Sequence, residues 1–158
     1  MSPQRDASSP VIWPPIIFVV SALAAAALSW FAGLPFETKM PAGLGLAAGV
    51  LLIAMGVGLL LLATRRFKAA GTPIPPNQPT KTIVVEGIYR YSRNPMYLGF
   101  TLVLLGFGLA LDQLWFIIAA PLAMFAVYKL AIEREEAYLE RKFGADYLHY
   151  KARVRRWI

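Results

Sequence analysis

Apolar residues in this chain gather into long blocks separated by short polar ones, and the blocks set the first reading. Residues 11–34 and 43–63 are each an almost unbroken apolar run of about the 20 residues a membrane-crossing helix needs. Two further runs, 95–111 and 114–132, are slightly shorter and are parted only by Asp112-Gln113. So brief a break fits a tight helical hairpin, since backbone left irregular cannot face lipid. The pattern predicts an all-α protein: an integral membrane bundle of four transmembrane helices with a cytoplasmic C-terminal helical tail. Residues 1–10 read as an unstructured N-terminus, and 11–158 as a single domain.

Between the second and third blocks, loop 64–94 contains Pro73, Pro75, Pro76 and Pro79, which favour extended backbone. The β-prone run KTIVVEG follows. Tail 133–158 is polar yet helix-prone, with a break expected near Gly144. Pro14 and Pro15 sit near the start of the first helix, where a missing amide costs least.

Composition agrees with the pattern: 58% of residues are hydrophobic and the mean hydropathy is +0.54. Cysteine is absent, which excludes disulfides and thiolate metal sites. The formal charge of +7 is uneven. Arg65, Arg66, Lys68, Lys81, Arg90 and Arg93 fill the long loop; Arg141, Lys142, Lys151, Arg153, Arg155 and Arg156 fill the tail. The other two loops hold only Glu37, Lys39 and Asp112. Basic loops stay cytoplasmic, so both termini and the long loop are expected inside, in an inner or plasma membrane. Topology accounts for the high pI more simply than nucleic acid does. The weak basic start and long first block argue against a cleaved signal peptide.

Two stretches carry candidate chemistry. The first is YRYSRNPMYLG, residues 89–99, at the mouth of the third apolar run. Asn94-Pro95 reads as a helix start, asparagine capping and proline in the first turn. Arg93 and Tyr97 are not needed for that, although tyrosines also populate membrane-interface belts. The second is EREE, just past the fourth run. Glu133 and Glu136 share a helix face that Glu140 extends, while Glu135 points elsewhere. A solvated helix start is the plain alternative. No Glu-x-x-His pair is present and His149 stands alone, so a metal site is not expected.

Among the glycines, GLGLAAG at 43–49 imitates a dinucleotide fingerprint but follows no strand. Gly45 and Gly49 read as helix-packing contacts. Gly56 and Gly58 suit either packing or a ligand touching bare backbone.

Arginine, tyrosine and glutamate at the cytoplasmic end of apolar helices suit a soluble zwitterion bearing an adenosine. Its carboxylate can meet arginine or a helix N-terminus, and a sulfonium is favoured near aromatic faces. S-adenosylmethionine has these parts; NADPH shares several.

GIYRYSRNPMYLG, the following apolar hairpin, EREE and FGADYLHYKARV together resemble the isoprenylcysteine carboxyl methyltransferases and their phospholipid N-methyltransferase relatives, over about residues 80–155. The resemblance implies an S-adenosylmethionine-dependent membrane methyltransferase with a cytoplasmic-side cofactor pocket and a lipophilic or amphipathic acceptor. It implies cofactor binding by Arg93, Asn94, Pro95, Tyr97, Gly99, Glu135, Glu136 and Tyr147, and, from a weaker glycine-x-glycine match, Gly56 and Gly58. Arg93, Glu133 and Arg134 are the candidate catalytic residues; Glu133 is a possible proton acceptor for an amine. Asn94 stands where the carboxyl methyltransferases carry histidine. An NADPH-dependent membrane reductase is the alternative enzyme. A non-catalytic scaffold or transporter subunit is the third reading, disfavoured because Pro121 alone interrupts a span deeply and the ionisable groups gather at one face.

Overall fold

A computed structural model describes residues 10, 12–31, 40–75 and 78–158. The expected disorder of residues 1–10 falls, except at Pro10, outside the described residues, as do the ends of the first block and Glu37 and Lys39. Among the described residues the chain is helical throughout, with no strand. The run KTIVVEG forms no strand: it stays irregular and leads into a 3₁₀ turn, Gly87–Arg90. β-propensity needs a neighbouring edge to become a strand.

Four apolar helices make the body: α1 (Pro14–Phe31), α2 (Ala42–Ala69), α3 (Pro95–Ala110) and α4 (Leu114–Val127). A π turn, Tyr128–Ile132, continues α4 into the polar α5 (Glu133–Phe143), and α6 (Ala145–Arg153) follows after Gly144 at φ +52°. The break was expected there, where a left-handed residue favours glycine. Three helical stretches are long and apolar enough to cross a membrane: Pro14–Phe31, Gly43–Ala69 and Leu114–Phe143. The third loses its apolar character after Ile132, where the next eight residues include five charges, so α5 lies beyond the span. The fourth apolar helix, α3, has 16 residues and a length of about 24 Å.

The second helix outruns its apolar block, reaching Ala69 rather than 63 and carrying Arg65, Arg66 and Lys68 with it. Arginine and lysine are good helix formers. The helix ends just before Gly71, which has φ +60°.

Packing runs from α2 to α3, from α3 to α4 and from α4 to α1. Between α4 and α1 the core is built of Ile17, Phe18, Ala25, Phe116, Ala120, Ala123 and Val127, with Phe18 stacked on Phe100 of α3 at 5.2 Å. Between α2 and α3 glycines oppose each other. A Cβ on Gly49 would lie 2.5 Å from the Gly106 carbonyl, and one on Gly56 would lie 2.6 Å from the Gly99 carbonyl. Gly45 meets the Leu109 carbonyl at 3.0 Å. Small residues let apolar helices approach closely where no water drives them together. Outward faces stay apolar: Val19, Val20 and Leu23 on α1, Leu51, Met55 and Leu62 on α2, and Leu122 and Phe125 on α4 are exposed. That is the surface lipid would cover.

Candidate functional site

Where the polar ends of the helices meet, a cavity of about 150 Å³ opens, many times the roughly 10–15 Å³ that one water needs. Loop 70–94 supplies one wall with Pro73, Ile74, Ile83 and Val84. The start of α3 supplies Arg93 to Tyr97, and α5 and α6 supply Glu135, Glu136, Tyr138, Tyr147 and Tyr150.

Local bonds fix these walls. Tyr138 Oη accepts a bond from the Thr80 amide at 3.1 Å, tying the loop to α5. Thr72 Oγ1 accepts from the Lys81 amide at 2.8 Å, closing the loop on itself. The buried Tyr150 hydroxyl donates to the Tyr89 carbonyl at 2.7 Å and so joins α6 to the 3₁₀ turn. Gly87 opens that turn at φ +61°, with Arg66 Nε 2.5 Å from where a Cβ would stand.

Two carboxylates face this space with different partners. Tyr97 Oη donates to Glu135 Oε1 at 2.8 Å. Burial drives the Glu135 carboxyl up to about 7; the Tyr97 bond opposes this and the Glu136 charge adds to it. Glu136 is 7% exposed and is held by cations. Arg156 donates to both of its oxygens, Nε at 3.0 Å and Nη2 at 2.8 Å, and Arg93 Nη1 lies 3.0 Å from Oε1. The Arg93 contact is an ion pair by distance without hydrogen-bond alignment, and its buried Nε has no hydrogen-bond partner. Burial, followed by the Glu136 charge, pushes the Tyr147 phenol up to about 12. Burial likewise raises Tyr89 and Tyr150. The Arg156 guanidinium is raised by its bonds to Glu136.

The structure thus brings Arg93, Asn94, Pro95, Tyr97, Glu135, Glu136 and Tyr147 into one wall. Glu135 joins Glu136 there rather than pointing elsewhere. Other candidates lie apart. Gly56 and Gly99 are pressed backbone to backbone between α2 and α3, outside the cavity lining. Gly58 has open space where a side chain would be and is also outside that lining. Glu133 pairs with Lys129 at 2.8 Å on the exposed side of the helix, and Arg134 is exposed.

Asn94 occupies the cap position of α3 but makes no side-chain cap bond. Its Nδ2 donates to the Arg156 carbonyl at 3.3 Å instead. A tail strand close enough to bond displaces the local cap, and the helix start relies on Pro95 at its first position.

Sequence reasoning did not single out Tyr89, Tyr138 or Arg156. Tyr138 follows Glu135 by three residues and so shares its face, a signal that was available. Arg156 lies past the last helix and had none.

A match to the phospholipid methyltransferase family model runs over residues 44–146. The chain belongs to the phospholipid methyltransferase family. In this family member the match takes in Arg93–Gly99 and the glutamate pair and stops one residue short of Tyr147. An uncharacterized protein of Haemophilus influenzae is 40% identical over 63 residues, 40% of this chain and all of that protein. The protein-S-isoprenylcysteine O-methyltransferase of Schizosaccharomyces pombe is 35% identical over 72 residues, 46% of this chain and 30% of that enzyme. The aligned part is thus under a third of the yeast protein's length. No solved structure matches the chain.

The wall's chemistry fits S-adenosylmethionine. The buried Arg93 offers a cation with donor capacity to spare, Glu135 offers an acceptor carboxylate, and Tyr89, Tyr138 and Tyr147 offer aromatic surface. Among the described residues no group of three or more His, Asp or Glu is placed to hold a metal ion.

Proposed function

We propose that this chain is an integral-membrane, S-adenosylmethionine-dependent methyltransferase acting on a lipophilic or amphipathic acceptor. The observation that carries the reading is the cavity's position and lining: a buried arginine, two glutamates and a set of tyrosines, placed where apolar helices give way to polar ones. Water-soluble donor and lipid-soluble acceptor can meet only at such a boundary.

Arg93 and the N-terminus of α3 would take the cofactor's carboxylate. Glu135 would accept from its ammonium or ribose hydroxyls, and the tyrosine faces would favour its cationic sulfur. Bound there, the cofactor would supply an electrophilic methyl carbon. The chain's own task is to hold donor and acceptor in line at short range and to keep water out. Loop 70–94, pinned through Tyr138, covers that side of the cavity. An acceptor amine would have to give up a proton, and Glu135 is better placed to receive it than Glu133, which faces outward.

The topology proposed with this function has four spans, counting the short α3, with both termini and the site on the cytoplasmic side of an inner or plasma membrane. Loop charge supports it. The acceptor would enter sideways, between helices, from the bilayer.

Calorimetric titration of the detergent-purified protein with S-adenosylhomocysteine and, separately, NADPH tests the reading. Binding of the first alone is expected. Binding of NADPH alone would replace the methyltransferase with a reductase, and binding of neither would remove the enzyme reading.

A further inference from the structure

Past α6, residues 154–158 lie across the start of α3, beyond the reach of the family match. The Arg93 amide donates to the Arg155 carbonyl at 3.1 Å, while Ser92 Oγ and Asn94 Nδ2 both donate to the Arg156 carbonyl. Trp157 packs against the helix core. The Arg156 guanidinium lies over the Tyr128 ring, 4.8 Å from its centroid, and grips Glu136 at both oxygens.

The charges around Glu136 do not cancel. One carboxylate is in contact with two guanidinium groups. Lys151 Nζ stands 4.0 Å away, though its nearer partner is Glu140. Arg156 holds the two-point geometry that makes such pairs strong. Arg93 is left with proximity alone: its side chain is 9% exposed, yet neither Nε nor Nη1 has a hydrogen-bond partner. A buried cation in that condition is costly unless an anion completes it.

We infer that Arg156 is a positioning residue: by engaging Glu136, it leaves the Arg93 guanidinium free to bind the carboxylate of a ligand's amino-acid part. This rests on the methyltransferase reading and goes beyond it by giving the tail a job in ligand selection. Without Arg156, Glu136 turns wholly to Arg93, and the pair neutralises itself. The tyrosine surface that would hold an adenosine is untouched by that change.

The test compares two ligands on detergent-purified full-length protein. S-adenosylhomocysteine carries the amino-acid carboxylate; 5′-methylthioadenosine has the adenosine and thioether without it. In Arg156→Gln, affinity for S-adenosylhomocysteine should fall about tenfold or more, the scale of a lost charge-assisted bond, with affinity for methylthioadenosine nearly unchanged. Equal loss of both ligands, or loss of neither, overturns the inference. Should Arg156→Gln not fold, Arg156→Lys carries the test: it keeps the charge but not the two-point grip. A smaller loss confined to S-adenosylhomocysteine is then expected, and equal loss of both again overturns it. Wild-type protein that binds neither ligand would defeat the methyltransferase reading and this one with it.

Discussion

Tyr97 and Glu135 meet across 2.8 Å, a phenol donating to a carboxylate, and so clasp the first turn of α3 to α5. The two residues belong to different sequence motifs 38 positions apart, and the contact is what makes those motifs one site. Tyr97→Phe keeps the ring and removes the donor. It should cost about 1–3 kcal/mol, the range for a buried acceptor left unsatisfied, read as a lowered thermal midpoint in detergent.

The same carboxylate gives a pH dependence of defined sign. Burial raises Glu135 from 4.5 to about 7, so between those values the folded state holds a proton that the unfolded state has released. Its contribution is fully present below about 4.5 and is lost as pH rises through about 7. Glu135→Gln should flatten that part of the stability profile. Thermal unfolding at intervals from pH 4 to 8 would show it, and parallel profiles for both proteins would contradict it.

Gly56 and Gly58 should part company. A methyl at Gly56 would lie 2.6 Å from the Gly99 carbonyl, whereas at Gly58 it would meet nothing within 4 Å. Gly56→Ala should destabilise by about 1–3 kcal/mol through overpacking. Gly58→Ala should be neutral or stabilising by up to about 1 kcal/mol, from helix propensity. Thermal scans of both variants decide it. Loss of S-adenosylhomocysteine binding in Gly58→Ala would restore the ligand role read from its sequence motif.

Aspartate caps a helix as well as asparagine does, so sequence alone expects Asn94→Asp to preserve folding. The structure reverses that expectation, because Asn94 Nδ2 donates to the Arg156 carbonyl and a carboxylate there would face another acceptor. Asn94→Asp should therefore be less stable than Asn94→Ala, which adds no repulsion. Denaturant titrations of the pair would expose the order.

Since the chain has no cysteine, single cysteines report topology cleanly. Cysteine at Gln113 should react with an impermeant reagent from outside intact cells, and at Gln78 only after lysis. Labelling of Gln78 in intact cells would overturn the proposed orientation.

How much of this was legible in the sequence depends on distance along the chain. The apolar blocks, the break at Gly144 and the packing roles of Gly45 and Gly49 were readable, because each follows from local composition or helical spacing. The far end of α2 was not, since hydropathy drops at Arg65 while the helix continues on propensity. The site was half legible. Arg93, Tyr97 and the glutamate pair sit in recognisable motifs, but which glutamate meets which partner was not written there. Asn94 was misread for the same reason: its partner is 62 residues away, and a local rule had already supplied a sufficient job.

The π turn at Tyr128–Ile132 gives the site a sensitivity to length rather than to identity. Such turns often mark functional places, and this one sits between the buried Val127 and the carboxylates of α5. Removing a single residue from it could restore regular winding, yet would turn everything downstream by about 100°. Glu135 and Glu136 would leave the wall together, with every side chain of the site still present. For the inheritance of this site, one lost codon in that turn would outweigh most exchanges of one amino acid for another.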